Sequence, residues 1–233
     1  MISDKHSTKH ITISGQKVPV WIFGNVKKPL IIFIHGFPTP FSGLVGDLPI
    51  TYLQDMYCII SFDLPGFGKS KNITTDAIMF IKQIIDKIAK KKKVSLFGVS
   101  FGGVLALKYA YYYPDHVDKI IIAGTPYYTN LDKLFRYITL PDQLLTFKTV
   151  NILLHFVFLE AQNLSQIKND VLLLYSKKDL VGTIRMAKKL AAMIPRPTYI
   201  ETKTRNHSWL LRRIDENEFL EAIQRFLSSS QSK

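Results

Sequence analysis

The stretch Lys93-Val94-Ser95-Leu96-Phe97-Gly98-Val99-Ser100-Phe101-Gly102-Gly103 constrains this chain more than any other. Val94 to Phe97 is a short apolar run of the kind that forms a buried strand in a parallel sheet. It runs without a gap into Gly98-Val99-Ser100-Phe101-Gly102, of the form G-x-S-x-G, and Val104 to Ala110 beyond it is helix-forming sequence with an apolar face. A strand, a sharp turn and a helix lift the hydroxyl of Ser100 above the sheet edge, with the helix N-terminus aimed at any negative charge that forms there. The turn is so tight that a side chain at Gly98 or Gly102 is expected to clash with its surroundings. The five-residue pattern alone arises by chance; the strand and helix on either side turn it into a candidate nucleophile.

The rest of the chain repeats the same alternation. Residues Ile11 to Phe23 alternate around Gly15-Gln16 as a hairpin does, and Leu30–Ile34 and Cys58–Phe62 are apolar runs with strand character. Phe41 to Asp55 is expected to hold a helix or helical turns. Thr74 to Lys92 repeats apolar residues at helical spacing, with Thr74 or Thr75 as the N-cap and Asp76 in the first turn. Ile120–Ala123, Val171–Tyr175 and Tyr199–Glu201 read as further strands, and helices are expected over about 183–193 and 217–227. Strands and helices in this order define an α/β fold with a mostly parallel sheet. Between Pro126 and Gln166 the alternation lapses into helical patterning, so 126–166 is expected to be a small helical cap. The core is then 1–125 and 167–233, with the cap inserted after the sixth strand.

Charge and motif content exclude several functions. Gly68-Lys69-Ser70 resembles the end of a phosphate-binding loop, but the position of that loop's first glycine holds Asp63, whose carboxylate repels phosphate. The formal net charge of +13 raises nucleic-acid binding. The positive charge is mostly dispersed lysine, however, and the one dense run, Lys90 to Lys93, falls where a helix ends and cations suit its dipole. With no basic stripe interleaved with aromatics, no nucleic-acid partner is expected. The N-terminal ten residues are polar, no apolar run is long enough to span a bilayer, and a single cysteine, Cys58, precludes an internal disulfide framework. A soluble cytoplasmic protein without integral membrane association is expected. No metal-ligand cluster or dinucleotide glycine pattern points to a cofactor.

Three chemistry-bearing side chains stand in the order Ser100, Asp179, His207, each in a loop after an expected strand. With His35-Gly36-Phe37-Pro38 after the third strand and Asp63-Leu64-Pro65-Gly66-Phe67-Gly68-Lys69-Ser70 after the fourth, they make the chain resemble the α/β-hydrolase superfamily over nearly its whole length. The resemblance implies a serine hydrolase. Ser100 is its nucleophile, His207 the base that takes and returns the proton, and Asp179 the acid that fixes the imidazole tautomer. It also implies an oxyanion hole built from the backbone N–H groups of Phe37 and Phe101. His35 is expected to order the oxyanion loop and border the substrate site, and Leu144, Phe147 and Phe156 in the cap are expected to line the acyl chain.

Other candidates fit the pattern less well. Asp170 precedes its strand and so belongs at the far end of the sheet, and Gly124-Thr125-Pro126 offers no carboxylate after the Ile120–Ala123 strand. His6, His10 and His116 are expected to be peripheral, and His155 to sit in the cap. Asn206 stands before the base where glycine is common in the family, a place asparagine tolerates. Haloalkane dehalogenases and epoxide hydrolases share a similar His-Gly-Phe-Pro loop but attack through aspartate. A serine there implies an acyl-enzyme and hydrolysis of carboxylic esters of short to medium chain length, a carboxylesterase. The small-molecule partner is then an ester or a lactone, acyl-homoserine lactones included. C–C bond hydrolysis and a non-catalytic binding protein on the same scaffold remain open.

Overall fold

The five-residue runs at Leu30–Ile34 and Cys58–Phe62 are buried at every position, as strands covered on both faces must be. They lie at the centre of the computed structural model of the chain, which describes residues 6–37, 40–43, 53–73, 75–127, 161–202, 207 and 217–229. Among the described residues the strands are β1 (His6–Ile13), β2 (Gln16–Phe23), β3 (Leu30–Ile34), β4 (Cys58–Phe62), β5 (Val94–Val99), β6 (Val117–Ala123), β7 (Asp170–Ser176) and β8 (Pro197–Thr202). The helices are α1 (Ala77–Ala89), α2 (Phe101–Tyr112), α3 (Ala161–Leu164), α4 (Ile184–Met193) and α5 (Asn217–Ser228).

The strands form one sheet in the order β1-β2-β4-β3-β5-β6-β7-β8, antiparallel from β1 to β4 and parallel from there on. The chain reverses its direction of travel across the sheet between β3 and β5, which pair Ile31 with Ser95. In open α/β sheets the crevice beyond the strand ends at such a point is where ligands bind. Helices α1, α2 and α4 cover one face, with Ile81, Ile84, Leu105, Leu107 and Leu190 in its core. Helix α5 covers the other through Phe219, Ile223, Phe226 and Leu227.

Several boundaries differ from the sequence reading, each for a physical reason. The hairpin turn is Ser14-Gly15, both at positive φ (50° and 77°), one residue earlier than expected, because Ile13 pairs with Gln16. Strand β1 reaches back to His6 through exposed polar residues, as an edge strand can. The N-cap of α1 is Asp76, whose carboxylate accepts from the N–H of Ile78 (2.9 Å) and Met79 (3.1 Å), so neither Thr74 nor Thr75 fills that place.

Strand β6 begins at Val117 because Lys119, though charged, is 2% exposed. Its ammonium donates to carbonyls at the end of α5, those of Phe226, Leu227 (3.2 Å) and Ser229, and so ties the last helix to the sheet. Of the helical turns expected over 41–55, a short 3-10 turn at Phe41–Gly43 is described; 44–52 lie outside the described residues. Most of the expected cap also lies outside them, at 128–160, and its last part holds α3, where Leu164 is buried against the core.

Candidate active site

Ser100 stands between β5 and α2 with φ 54° and ψ −123°, a conformation that costs a non-glycine residue roughly 1–3 kcal/mol. The surrounding backbone holds it there. Its N–H donates to the Ala123 carbonyl at the end of β6 (2.8 Å), and its carbonyl accepts from Gly103 (3.0 Å). A Cβ at Gly98 would lie 2.5 Å from the Gly102 carbonyl carbon, and one at Gly102 would lie 2.6 Å from the His35 carbonyl oxygen and nearer still to that of Ile34. The clash anticipated from the motif is therefore with backbone, which has no room to move. Phe101 opens α2, so its N–H has no acceptor within the helix.

Asp179 follows β7 and is 2% exposed. One carboxylate oxygen, Oδ1, accepts from the N–H groups of Val181 and Gly182, both at 2.8 Å. The other, Oδ2, lies 2.8 Å from Nδ1 of His207, whose Nε2 is 3.0 Å from Oγ of Ser100. With the carboxylate accepting, the imidazole carries its proton on Nδ1 and turns the Nε2 lone pair towards the serine hydroxyl. The Asp179 loop is registered to the serine turn through β6: a Cβ at Gly182 would meet the Gly124 backbone (2.7 Å to Cα), and Gly124 directly follows Ala123. Close backbone packing thus sets the distance between acid and nucleophile.

His35 is fully buried at the end of β3. Its Nδ1 donates to the Gly36 carbonyl (2.7 Å), and its Nε2 accepts from the N–H of Leu64 (2.9 Å). Burial pushes its pKa below the ordinary imidazole value, only partly offset by the Gly36 hydrogen bond and the charge of Asp63. A neutral ring thus bridges the loop after β3 to the loop after β4. With both nitrogens taken by backbone and no exposed surface, His35 orders the loop, and substrate contact, the other part expected of it, is closed to it. Gly36 presses that loop onto the nucleophile, since a Cβ there would lie 2.8 Å from the Cβ of Ser100. The next residue, Phe37, is half-buried with its ring edge-on to Phe101 (6.2 Å, 87°) and to Phe67 (5.9 Å, 82°).

The structure thus brings Ser100, Asp179 and His207 together, with His35, Phe37 and Phe101 beside them. Leu144, Phe147 and Phe156 lie outside the described residues, as do His155 and Asn206. Asp170 is at the opposite sheet edge, where it pairs with Arg196 (3.5 Å).

Two supporting residues escaped the sequence reading. Asp63, used there only to dismiss phosphate binding, is fully buried and accepts from the N–H of Ser42 (2.8 Å) and Lys69 (2.7 Å), so the Gly/Pro-rich turn wraps around it. A carboxylate placed where a buried strand gives way to a tight turn signals that backbone N–H groups must converge on it. Tyr175 is buried in β7, and its hydroxyl donates to the Thr125 carbonyl (2.6 Å), fixing the loop between nucleophile and acid; burial raises its pKa well above the phenol value. Nothing local in sequence marks that contact.

Residues 29–159 match the family described as alpha/beta hydrolase fold. That is more than half of the chain, and the chain belongs to this family. A proline iminopeptidase, PfmaB, of Pestalotiopsis fici is 34% identical over 123 residues, 49% of this chain and 43% of that protein. Epoxide hydrolase 4 of Homo sapiens is 30% identical over 129 residues, 52% of this chain and 35% of that protein. The chain thus matches less than half the length of either relative. Among solved structures, the naproxen esterase (carboxylesterase NP) of Bacillus subtilis superposes with a TM-score of 0.76 at 15% identity, covering 96% of this chain and 92% of the other, which is a likeness of fold.

Proposed function

We propose that the protein is a serine hydrolase that cleaves carboxylic esters of short to medium acyl chains through an acyl-enzyme. The observation that carries this is the pair of contacts made by one imidazole, 3.0 Å to the Ser100 hydroxyl and 2.8 Å to the Asp179 carboxylate. Attack by Oγ on the ester carbonyl passes the hydroxyl proton to Nε2 of His207. Asp179 stabilises the imidazolium, which then protonates the departing alcohol. Water repeats the sequence in reverse to free the acid. The N–H groups of Phe101, at the start of α2, and Phe37, in the loop pressed against Ser100, are the donors for the oxyanion. Residues 126–166 serve as a small cap over the crevice.

The relatives' names bear on this reading through the nucleophile. An epoxide hydrolase of this family attacks through aspartate, and a serine stands at that position here, so the acyl chemistry of an esterase or peptidase fits better. The peptidase name of the 34% identical relative supports a second reading, amide cleavage by the same residues. A panel of p-nitrophenyl esters, lactones and proline anilides, assayed with wild type and Ser100→Ala, separates them. Butyrate esters should turn over fastest, and the variant should lose roughly 10⁴-fold or more in kcat. Faster cleavage of long-chain esters or of proline anilides would replace the short-chain ester reading.

A further inference from the structure

The chain carries a formal net charge of +13. Part of it gathers at the end of the sheet opposite Ser100. Strands β3 and β5 are neighbours, so the turns leading into them emerge side by side. One carries Lys27 and Lys28; the other carries Lys90, Lys91, Lys92 and Lys93, all four exposed, with Lys87 in the last turn of α1 just before them. The Lys28 ammonium donates to the Asp55 carbonyl and draws the turn before β4 into the same patch. Two large apolar side chains protrude there, Val26 (64% exposed) and Met56 (45%). Among the described residues the carboxylates near this edge are Asp55, Asp86, Asp115, Asp118 and Asp170; Asp86 is held by Lys82 (2.6 Å) and Asp170 by Arg196 (3.5 Å).

The backbone adds a second, independent observation. Lys90 and Lys91 both adopt positive φ, 47° and 71°. A helix end of this kind favours glycine, and a lysine there carries a strain that glycine would not. No close packing of the kind that fixes Ser100 surrounds these two exposed residues. They are the two central residues of the turn that the Lys92 N–H closes on the Ala89 carbonyl (2.9 Å), and their charges, which suit the C-terminal end of α1, project into solvent.

We infer that this edge is a docking surface for an anionic phospholipid bilayer. The chemistry of the patch favours that partner over nucleic acid. It is built of lysines, compact point charges that attract phosphate without the planar fork that reads bases. Val26 and Met56 beside the lysines suit the headgroup boundary, and so does Tyr112, 59% exposed at the end of α2 on the same side of the sheet, with its apolar ring and polar hydroxyl. Ser100 lies at the far end of β5, roughly 20 Å away at ~3.3 Å per residue. A docked molecule therefore turns its crevice away from the membrane and takes substrate from the aqueous side. This inference does not depend on the ester reading, since binding is measured without turnover.

The test is sedimentation with vesicles of phosphatidylcholine alone and with vesicles in which about a third of the lipid is phosphatidylglycerol. Wild type and Ser100→Ala should bind the anionic vesicles and not the neutral ones, and about 0.5 M salt should release them. Each lysine near such a surface strengthens binding by about fivefold. Replacing Lys90, Lys91, Lys92 and Lys93 together by glutamine should therefore weaken it by about 600-fold. Val26→Ser with Met56→Ser should weaken it by about tenfold while leaving the salt dependence in place. Circular dichroism spectra and urea midpoints that match wild type verify that the variants are folded. Equal binding to neutral vesicles, undiminished binding by the folded lysine variant, or tighter binding to a single-stranded oligonucleotide at equal phosphate concentration would each overturn the inference.

Discussion

Lys90 and Lys91 precede β5 with φ of 47° and 71°, and Ser100 follows it with φ of 54°. The two ends of one buried strand thus both carry non-glycine residues in left-handed or strained backbone, in very different surroundings. At Ser100 the Gly98, Gly102 and Gly36 backbones close in to distances no side chain fits, and the Ala123 carbonyl fixes the N–H. At the lysines the chain is exposed. At the serine end packing over-determines the conformation and aims a hydroxyl at one imidazole; at the lysine end a hydrogen bond from the Lys92 N–H to the Ala89 carbonyl (2.9 Å) closes the turn and the side chains stay exposed. Positive φ by itself marks no chemistry, since the hairpin residue Ser14 shares it (50°); only the packed end can hold a geometry accurate enough for catalysis.

That comparison can be broken by substitution. The largest effect is expected at the packed end, where Gly102→Ala puts a Cβ against the carbonyls of Ile34 and His35. Urea unfolding should show a loss of about 3 kcal/mol, with esterase activity falling too. A wild-type midpoint would mean that the turn is looser than its contacts imply.

A smaller effect concerns His35, whose folded-state pKa lies below the ordinary imidazole value because the ring is buried. The unfolded chain takes up this proton first. Stability is therefore full above about pH 6.5 and falls as pH drops towards the folded value, by up to about 1.4 kcal/mol per pH unit. His35→Gln keeps an acceptor for the Leu64 N–H and cannot titrate. Its stability should thus be lower at pH 8 yet flatter between pH 6.5 and 5, as followed by urea midpoints; parallel profiles would remove the neutral ring from the account.

The smallest effect is at the open end. Lys91→Gly should raise stability by roughly 1 kcal/mol, because the turn closed by the Lys92 N–H and the Ala89 carbonyl requires positive φ there and glycine adopts it without strain. A loss of stability there would mean that the lysine is held as firmly as Ser100.

Legibility in the sequence followed how local each cause was. Leu30–Ile34 and Cys58–Phe62 were readable to the residue because strands covered on both faces are unbroken apolar runs. The serine turn was readable because its glycines and its nucleophile lie within five positions. Strand β6 was under-read at Lys119, whose burial depends on carbonyls more than a hundred residues further along the chain. Edge strands β1 and β8 were cut short because their polar residues follow exposure and pairing rather than an apolar run. Ser100, Asp179 and His207 were singled out by their order along the chain, and the fold brings the three within hydrogen-bond distance. Asp63 and Tyr175, which hold the loops around them, were missed because their partners are backbone groups that only the fold assembles.

The most direct measurement is covalent labelling of the folded protein with a fluorophosphonate, located by mass spectrometry of peptides. One phosphonyl adduct on Ser100 is predicted, absent in Ser100→Ala and slowed by orders of magnitude in His207→Ala. A folded wild-type protein that stays unlabelled, or one labelled at Ser100 as fast without His207 as with it, would contradict the account.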